Sequence, residues 1–339
     1  MRIIIDAMGG DNAPEAAVAG ACRAAAELGC DITLVGDEAR VRALLPEGAA
    51  ERVRIVHAAE TVEMEDKALS AVMKKRDSSM SVALKLLSEG EGDALVSAGS
   101  TGALLTAATL TVKRIRGIRR AALGPLLPTK RGQVLLIDSG ANINCPAEYL
   151  LQFAYMGHFY MKDVAGVPSP RIALLNNGTE ETKGTEALQE AHALLRAARD
   201  AGRLNFIGNM EGRDIFSGEA DVIVCDGFAG NIALKTVEGT ASFLMSQLKG
   251  VFSRSIFSKL AYLLVRGGLR DMRKMMDYKE VGGAPMLGLT RPVIKAHGSS
   301  DEKAFVSAVA QAKSFAESGF IAHMSESIDE MTLKNEKKD

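Results

Sequence analysis

Four polar, glycine-rich segments stand directly after short apolar runs, and they are the parts of this chain best suited to chemistry. Glycine lets main-chain amides approach a ligand closely, and the N-terminus of a following helix favours an anion. One such segment is weak evidence, because turns between strands and helices need glycine for steric reasons alone. Four of them predict a shared phosphate-type site at the carboxyl edge of a parallel sheet. The segments are DAMGGDNAP (6–14), SAGSTGALL (97–105), DSGANINC (138–145) and CDGFAGNIALK (225–235).

Lys183 and His297 are candidates to supply a cation and a proton to that site. Lys183 lies in NNGTEETKGT (176–185), near the start of a predicted helix, where its charge suits a phosphate or an oxyanion. The order of its Lys, Gly and Thr differs from that of a Walker A loop. His297 ends a short apolar run, and Ser299 or Ser300 is the expected N-cap of the helix that follows. A surface lysine is most often only solvated and a lone histidine most often structural, so neither residue alone indicates a function.

Several familiar catalytic arrangements are absent from the sequence. It has no G-x-S-x-G nucleophile elbow, no H-E-x-x-H or Cys/His grouping for a transition metal, and no strict G-x-G-x-x-G dinucleotide fingerprint. Asp6, Asp11, Asp138 and Asp226 could hold magnesium, but aspartates in such loops more often cap helices or brace turns. We therefore expect neither a metal nor a cofactor.

Composition narrows the class of partner. The chain has 339 residues, with 41 basic and 42 acidic side chains, no tryptophan and five tyrosines. Because the charges nearly cancel, the protein has no overall positive potential to attract nucleic acid. With so few aromatic residues, we expect no surface on which the bases of a single strand could stack. The cysteines show no C-x-x-C spacing, and a predicted strand that begins at residue 2 leaves no room for a signal peptide. We expect a cytoplasmic protein with reduced thiols and no nucleic-acid partner.

Predicted strands and helices alternate along most of the chain. The alternation predicts a three-layer α/β/α fold around a mostly parallel sheet. We expect a single α/β domain over 1–325 and a polar tail over 326–339. The predicted strands are 2–5, 32–35, 53–56, 94–97, 121–127, 133–137, 171–175, 204–207 and 221–225, and the predicted helices are 14–28, 67–89, 101–113, 147–161, 182–200 and 229–249.

The stretch 241–276 interrupts the alternation and predicts a protruding helical hairpin. It contains no strand candidate, and helical segments separated by Gly250 and by Gly267-Gly268 are expected. It is basic, and its apolar side chains share one helical face. Such a segment can lie on an anionic membrane or pack on a second subunit or on the body of the protein, and these alternatives stay open. The expected membrane-facing residues are Phe252, Ile256, Leu260, Leu263 and Leu264.

Eight motifs, spread from residue 6 to residue 301, together resemble the bacterial phosphate acyltransferase family, the acyl-acyl-carrier-protein:phosphate acyltransferases of phospholipid synthesis. One position departs from the family pattern, because Ser100 stands where asparagine is commoner, although serine also donates a hydrogen bond. The motifs are the four loops above together with TEETKGT (179–185), IGNMEGRDI (207–215), GAPMLG (283–288) and KAHGSSD (295–301).

The resemblance implies transfer of a long-chain fatty acyl group from acyl carrier protein to inorganic phosphate, which gives an acyl phosphate. It also implies a fold similar to phosphotransacetylases and to isocitrate and isopropylmalate dehydrogenases. The expected partners are a second identical subunit, the inner face of an anionic membrane, and a downstream glycerol-3-phosphate acyltransferase. Phosphate is already ionised near neutral pH, so it can attack a thioester directly, without an acyl-enzyme. The enzyme has to align the phosphate and stabilise the oxyanion that forms.

The resemblance also implies roles for individual residues. Lys183 would stabilise the phosphate or the oxyanion, Asn231 and Lys235 would assist, and His297 would pass a proton to the leaving thiolate. Phosphate and substrate contacts are expected from Asp6, Gly9, Gly10, Asp11, Ser100, Thr101, Gly102, Gly140, Asn142, Asp226 and Gly230.

An acidic carrier protein needs a basic dock, and the sequence offers two. They are the run KRIRGIRR (113–120) and the basic residues of 249–274. Two other functions remain open, a metal- and nicotinamide-dependent dehydrogenase of the isocitrate or isopropylmalate type and a non-catalytic peripheral membrane scaffold. The dehydrogenase lacks a compact aspartate trio for its metal, and the scaffold leaves the four glycine-rich loops unexplained.

Overall fold

Two β-sheets form the centre of this computed structural model, which describes residues 1–48, 51–63, 66–276 and 282–331. The first sheet contains β1 (Arg2–Asp6), β2 (Asp31–Gly36), β3 (Val53–His57), β4 (Ala94–Ser97), β5 (Ala122–Leu123), β11 (Gly283–Leu287) and β12 (Val293–Ala296). Their order across the sheet is β3-β2-β1-β4-β12-β11-β5, and only β11 runs antiparallel to its neighbours.

The second sheet has five strands, in the order β6-β7-β10-β8-β9, where the bounds are β6 (Leu126–Thr129), β7 (Gly132–Ile137), β8 (Arg171–Asn176), β9 (Asn205–Glu211) and β10 (Val222–Val224). All of its neighbouring strands are parallel except the β6–β7 pair. The carboxyl ends of β7, β10 and β8 therefore lie along one edge. The predicted α/β fold with mostly parallel strands is confirmed, with the strands divided between two sheets.

Helices connect most of the strands. Their bounds are α1 (Glu15–Leu28), α2 (Glu38–Leu44), α3 (Ala68–Lys74), α4 (Ser79–Ser88), α5 (Thr101–Thr111), α6 (Ala147–Phe159), α7 (Glu186–Asp200), α8 (Gly227–Ser253), α9 (Ile256–Met276), α10 (Glu302–Glu317), α11 (Phe320–Glu326) and α12 (Ile328–Met331). A short π-helical turn, Tyr160–Val164, continues α6, and a 3-10 turn, Gly212–Asp214, follows β9.

Alternate residues of the buried strands pack against helices on opposite faces. In β1, Ile3 and Ile5 join a core that includes residues of α1 and α10, whereas Ile4 joins one that includes residues of α4 and α5. In β7, Leu135 belongs to the first of these cores and Leu136 packs against α8. Because side chains alternate along a strand, apolar runs of this kind need helices on both faces. The core that contains Ile3 and Leu135 is shared by the two sheets.

The chain passes from one sheet to the other between β5 and β6. The amide of Gly124 donates to Pro285 O at 3.1 Å in the first sheet, and Leu136 N donates to Pro125 O at 3.0 Å in the second. Ser139, just after β7, donates its amide to Leu123 O at 3.0 Å. The loop after β7 therefore lies against the first sheet, which brings the ligand-type loops of both sheets towards each other.

The structure corrects three predictions of secondary structure. No strand was predicted after residue 225, but residues 283–287 and 293–296 form β11 and β12, because tertiary pairing with β4 and β5 provides partners for short strands. The predicted helix 67–89 is two helices, α3 and α4. The N-cap of α10 is Asp301, not Ser299 or Ser300, because the Asp301 carboxylate accepts from Ala304 N at 3.1 Å.

The predicted helical hairpin is formed by α8 and α9. The predicted breaks at Gly250 and at Gly267-Gly268 are wrong, since these glycines lie within the two helices and the chain turns between Ser253 and Ile256. Within residues 1–48, 51–63, 66–276 and 282–331, no helix is long and apolar enough to cross a membrane. Val281 and the last residues of the predicted tail, 332–339, lie outside the described residues. The single-domain assignment for 1–325 stays a prediction.

Candidate active site

Three loops at the carboxyl ends of β1, β4 and β12 interlock at the edge of the first sheet. Asp11 N donates to Gly298 O at 2.8 Å, and Asn12 Nδ2 lies 3.3 Å from Ser299 O and 3.2 Å from Ser300 O. These bonds join the loop after β1 to the loop after β12, although nearly the whole chain separates them in sequence. The arrangement brings together the two ends of the predicted motif set.

Gly9 and Gly10 make this packing possible. A Cβ atom at Gly9 would lie 2.7 Å from Gly99 N and 2.7 Å from Asp6 Oδ2, so a side chain there would push the loops after β1 and β4 apart. Gly10 has a φ of +102°, and its Cβ would lie 2.9 Å from Gly298 O. Larger residues would be strained or would clash, so the sequence requires glycine at both positions.

Asp6 and Asp11 meet the phosphate-type loops in different ways. Asp6 is 1% exposed, and its carboxylate accepts from Ser97 Oγ at 2.7 Å and from Met8 N at 3.3 Å. Burial raises the pKa of Asp6, and the hydrogen bonds from Ser79, Ser97 and the backbone oppose the rise. Asp6 therefore braces its own loop. The carboxylate of Asp11 instead lies near Gly298, because a Cβ atom built at that glycine would be 3.6 Å from Asp11 Oδ2.

Lys295 lies under these loops and was missed as a site residue by the sequence analysis. It is 9% exposed, and its Nζ donates to Ala98 O at 3.3 Å and to Ala296 O. Burial lowers the pKa of Lys295 to about 8, while the carboxylates of Asp6 and Asp11 oppose the fall. A buried ammonium group held by main-chain carbonyls is a strong attraction for an anion. The sequence did indicate that Lys295 is unusual, because it lies inside the apolar run PVIKA (292–296), where a charged residue is rare.

His297 stands two residues further along the chain. Its Nδ1 accepts from Ser299 N at 3.2 Å and lies 2.9 Å from Ser299 Oγ. Because Nδ1 is an acceptor, the neutral ring carries its proton on Nε2. Burial lowers the pKa of His297; the neighbouring Lys235 and Lys295 lower it further, while Glu238 and Asp11 raise it. The net effect favours the neutral form of the ring.

The loop after β7 is the corresponding feature of the second sheet. Asp138 is fully buried, and its carboxylate accepts from Leu123 N at 2.9 Å, Ala141 N at 3.2 Å and Asn142 N at 2.7 Å. Burial raises the pKa of Asp138 in spite of these bonds. The side chain of Asn142 donates to Ala121 O at 2.9 Å and to Asp138 Oδ2 at 3.0 Å. Asp138 thus shapes the loop, and the half-buried Asn142 lies at its surface.

The N-terminus of α8 packs directly on that loop. Asp226 is the N-cap and accepts from Ala229 N at 2.7 Å, which satisfies one helix amide. A Cβ at Gly230 would lie only 1.9 Å from Asp138 O, so only glycine permits this approach. Asn231 is exposed, and its Oδ1 lies 3.5 Å from the Cβ position of Gly140, whose φ is +133°. Gly140, Asn231 and Gly230 therefore meet as predicted, while Asp226 caps the helix.

Lys235 links the two sheets. It lies on the third turn of α8, where its Nζ forms an ion pair with Glu238 Oε2 at 2.6 Å. It is close enough to Lys295 and His297 to lower the pKa of both. A helix that belongs to the second sheet thus carries a cation to the loops of the first sheet. The charges of Lys235 and of its partner Glu238 therefore both act on His297.

Ser100, Thr101 and Gly102 begin α5, after β4. Ser100 is the N-cap residue, and Thr101 and Gly102 are the first two residues of the helix. Gly99, beside them, donates its amide to Ser97 Oγ at 3.2 Å and packs against Gly9. The helix N-terminus therefore faces the same edge of the sheet as the loop after β1, as the motif predicts.

Lys183 occupies a separate loop, after β8. Its side chain is 46% exposed, and Nζ lies 3.8 Å from Glu180 Oε1. Thr185 is the N-cap of α7, so Lys183 precedes the helix by three residues, close to the predicted place. The loop lies on the same edge of the second sheet as those after β7 and β10. Lys183 is therefore a surface cation at the edge of the second sheet that also carries the loops after β7 and β10.

The cysteines beside the site are poor nucleophiles. Cys225 is buried, and burial together with Asp138 raises its pKa well above the usual value. Burial and the charge of Asp138 raise the pKa of Cys145 to about 12. A thiolate is the reactive form of cysteine, so neither residue is activated. Among the described residues, no group of three or more His, Cys, Asp or Glu side chains is placed to hold a metal ion.

Comparison with known proteins identifies the family. The family described as "Fatty acid synthesis protein" matches residues 1–323. A phosphate acyltransferase of Thermoanaerobacter pseudethanolicus is 47% identical over 332 residues, which cover 98% of each chain. A phosphate acyltransferase of Geobacillus thermodenitrificans is 50% identical over 315 residues, which cover 92% of this chain and 94% of its own. The chain belongs to the phosphate acyltransferase family.

This membership confirms the resemblance found in the sequence and makes the protein an acyltransferase. The dehydrogenase and the non-catalytic scaffold are set aside. Among solved structures, a phosphotransacetylase of Streptococcus pyogenes aligns with a TM-score of 0.64 at 18% identity and covers 93% of this chain and 94% of its own. EutD phosphotransacetylase of Staphylococcus aureus aligns with a TM-score of 0.61 at 18% identity, with the same coverage of the two chains. At that identity the likeness concerns the fold, and it confirms the predicted similarity to phosphotransacetylases.

Proposed function

We propose that this acyltransferase moves a long-chain fatty acyl group from acyl carrier protein to inorganic phosphate and releases an acyl phosphate for phospholipid synthesis. The observation that carries the proposal is the interlocking of the glycine-rich loops around the buried Lys295, with Lys235 near enough for its charge to act on Lys295 and His297. A buried ammonium group, a second lysine that pairs with Glu238, and an imidazole at the edge of glycine-rich loops form an environment suited to a phosphate that attacks a carbonyl group. Family membership gives the reaction class, and the arrangement of these residues supports the choice of anion site.

Main-chain amides and the two lysines hold the phosphate in this proposal. The donors are the amides of the loops around Gly9, Gly10, Ser100, Thr101, Gly102, Gly140, Asn142 and Gly230. Asp6 and Asp226 act through the loops that they brace and cap. The positive charge of Lys295, on β12, neutralises part of the phosphate charge, and that of Lys235, on α8, neutralises another part. Lys183 and Asn231 approach from the second sheet and stabilise the oxyanion.

The chemistry needs no acyl-enzyme. A phosphate oxygen attacks the thioester carbonyl carbon, a new C–O bond forms, and the carbonyl electrons move to the oxygen as an oxyanion. The oxyanion then collapses, the C–S bond breaks, and the carrier leaves as a thiolate. The Nε2–H group of His297 donates a hydrogen bond to the sulfur as negative charge develops on it, and the released thiolate takes its proton from solvent, because a neutral imidazole is too weak an acid to protonate a thiolate. The raised pKa values of Cys145 and Cys225 support direct attack, because neither thiol is ionised enough to compete.

The hairpin supports a peripheral position on the cytoplasmic face of the membrane. Ile256 is 75% exposed, Leu264 is 88% exposed, and Leu260 and Leu263 are each 53% exposed. Phe252 differs, because its ring packs edge-on against Tyr262 with the centroids 5.6 Å apart. An amphipathic hairpin of this kind can insert apolar side chains at an anionic surface, and a second subunit can share the same helices. Acyl phosphate released there would be close to a downstream glycerol-3-phosphate acyltransferase.

The direct test measures both products of the reaction. Purified protein is incubated with palmitoyl-acyl carrier protein and inorganic phosphate, acyl phosphate is trapped as a hydroxamate, and the released thiol is titrated. Equal and phosphate-dependent formation of the two products is expected. Thiol without acyl phosphate would indicate a thioesterase and would refute the proposal.

A further inference from the structure

A groove runs beside α5 and has not been given a role above. It has a volume of about 250 Å³, and α5 forms one wall with Leu105, Thr106, Thr109 and Leu110. Leu69 of α3 contributes to the same lining. The volume is close to the lower end of the range for small-molecule sites, about 300–1,000 Å³. The groove is therefore too small for a folded partner and of a size to hold part of a small, flexible ligand.

The opposite wall connects the groove to the candidate active site. It contains Ala121, Ala141 and Asn142, so it is formed partly by the loop after β7. Asn142 is among the residues expected to contact phosphate, and its side chain donates to Ala121 O at 2.9 Å. A chain bound along α5 would thus have one portion next to the reacting groups.

Two arginines complete the lining and give the groove a positive charge. Arg114 donates from Nη1 to Arg119 O, which fixes its guanidinium next to the segment that carries Arg120. The Arg120 guanidinium lies 5.9 Å from the centre of the Tyr149 ring. Each guanidinium has five N–H donors in a fixed plane, and such groups bind phosphate oxygens well. The groove therefore combines leucines, threonine hydroxyls and two phosphate-binding side chains.

We propose that this groove binds the 4′-phosphopantetheine arm of the acyl carrier, with the phosphodiester of the arm on Arg114 and Arg120. The inference rests on the proposed function, because only a carrier-borne thioester brings such an arm. The arm is a flexible chain with two amide groups, a phosphate at one end and the thioester at the other. Threonine hydroxyls suit the amides, the leucines suit the methylene groups, and the arginines suit the phosphate.

The mixed lining favours this occupant over the fatty acyl chain. An acyl chain gains nothing from Arg114, Arg120 or the threonines, and it would remove polar groups from water without replacing their hydrogen bonds. Leu69 and Leu110 are 62% and 54% exposed, so the groove is open along its length, as entry of a tethered arm requires. The carrier surface itself would then rest on the neighbouring basic residues, of which Arg116 is exposed.

The test uses three palmitoyl donors: the whole carrier, free 4′-phosphopantetheine, and pantetheine, which lacks the phosphate. We expect Arg114→Gln and Arg120→Gln each to raise the KM for the phosphopantetheine thioester about tenfold, because a charge-assisted hydrogen bond is lost. The KM for the pantetheine thioester should change less than about twofold, because that donor has no phosphate to lose. An equal change with both donors, or no change with either, would overturn the proposal.

Further variants separate the groove from general attraction and from the proposed function. Arg116→Gln removes the same charge outside the groove, so it should affect the whole carrier more than the phosphopantetheine thioester. Thr109→Phe should fill the groove and raise the KM for both arm donors without a matching rise in the KM for phosphate; a rise in the phosphate KM alone would contradict the assignment.

If the wild-type enzyme makes no acyl phosphate from any donor, the proposed function fails. If it makes acyl phosphate but the arginine variants do not distinguish the two arm donors, only the groove assignment fails.

Discussion

Lys295 and Lys183 are two cations at the edges of two sheets, and their surroundings differ sharply. Lys295 is 9% exposed, and the main-chain carbonyls of Ala98, in the loop after β4, and of Ala296, in β12 itself, hold its ammonium group. The Lys183 side chain is 46% exposed and has Glu180 at 3.8 Å. A charge held in a low-dielectric place acts strongly on a ligand and needs no reorganisation, whereas an exposed charge is screened and mobile. In the proposed function, the first sheet would therefore supply a fixed cation for the phosphate, and the second sheet an exposed one.

The largest expected effect is that of removing the fixed cation. Lys295→Met should lower kcat/KM for phosphate by about 10²- to 10³-fold, as for the loss of a preorganised oxyanion donor. Lys295→Arg keeps the charge and should retain more activity than Lys295→Met. Steady-state kinetics with varied phosphate tests this, and circular dichroism checks that each variant is folded. Near-normal phosphate kinetics in a folded Lys295→Met protein would remove Lys295 from the site.

Removal of the exposed Lys183 should lower the activity less than removal of Lys295. Lys183→Ala is expected to lower kcat by about 10- to 100-fold, because one hydrogen bond to a charged group, worth about 1.5–3 kcal/mol, is lost in the transition state. Folding should be unaffected, since the side chain is half exposed. Lys85→Ala is the matched control, because that lysine is 70% exposed on α4 and pairs with Glu89. Equal turnover in the Lys183 and Lys85 variants would exclude Lys183 from the mechanism.

A pair of glycines on α8 tests how closely this helix packs on the loop after β7, within the second sheet. A Cβ at Gly230 would lie 1.9 Å from Asp138 O, whereas a Cβ at Gly239 meets nothing within 4 Å. Gly230→Ala should lower the free energy of unfolding by about 1–3 kcal/mol through overpacking. Gly239→Ala should raise it by up to about 1 kcal/mol through helix propensity. Urea denaturation of both variants measures the difference, and equal stability would mean that α8 does not pack on the loop as described.

The pH dependence of kcat/KM for phosphate should also distinguish Lys295 from Lys183. The pKa of Lys295 is about 8, so its charge is present below that pH and is lost above it. The kcat/KM for phosphate should therefore fall as the pH rises through about 8, by up to about tenfold for each further pH unit. Lys183→Ala should keep this fall, and Lys295→Arg should move it to higher pH, because guanidinium stays protonated. A fall at the same pH in Lys295→Arg would assign the titration to another group.

The smallest effect on turnover is expected at the hairpin. Leu264→Glu should weaken binding to phosphatidylglycerol vesicles about 10- to 100-fold, because burial of one leucine is worth about 1.5–3 kcal/mol. Vesicle sedimentation measures this, with Ile207→Glu as the control, since Ile207 is 44% exposed on β9. Turnover of a water-soluble thioester should change much less than vesicle binding. Unchanged vesicle binding would favour a subunit contact as the role of this face.

Much of the architecture followed from local patterns. The runs at Ile3, Val96 and Ile223 predicted buried strands correctly, because a strand covered by helices on both faces is apolar throughout. The strands β11 and β12 were missed, because β11 contains glycine and proline, β12 has only four residues and includes a lysine, and only pairing in the sheet makes them strands. The breaks placed at Gly250 and at Gly267-Gly268 were wrong, since glycine lowers helix propensity by only about 1 kcal/mol and long helices tolerate it.

The sequence by itself determined the fold class, the ligand-type loops and the family, because these depend on residue types at fixed spacing. The tertiary structure alone decided which loops meet. The contact between Asp11 and Gly298, and the approach of Lys235 to Lys295, join residues that are far apart in the chain. Local pattern carries no information about such distances. The same reason explains Lys295: its burial, and with it the lowered pKa, exists only once β12 lies beside β4 under the three loops.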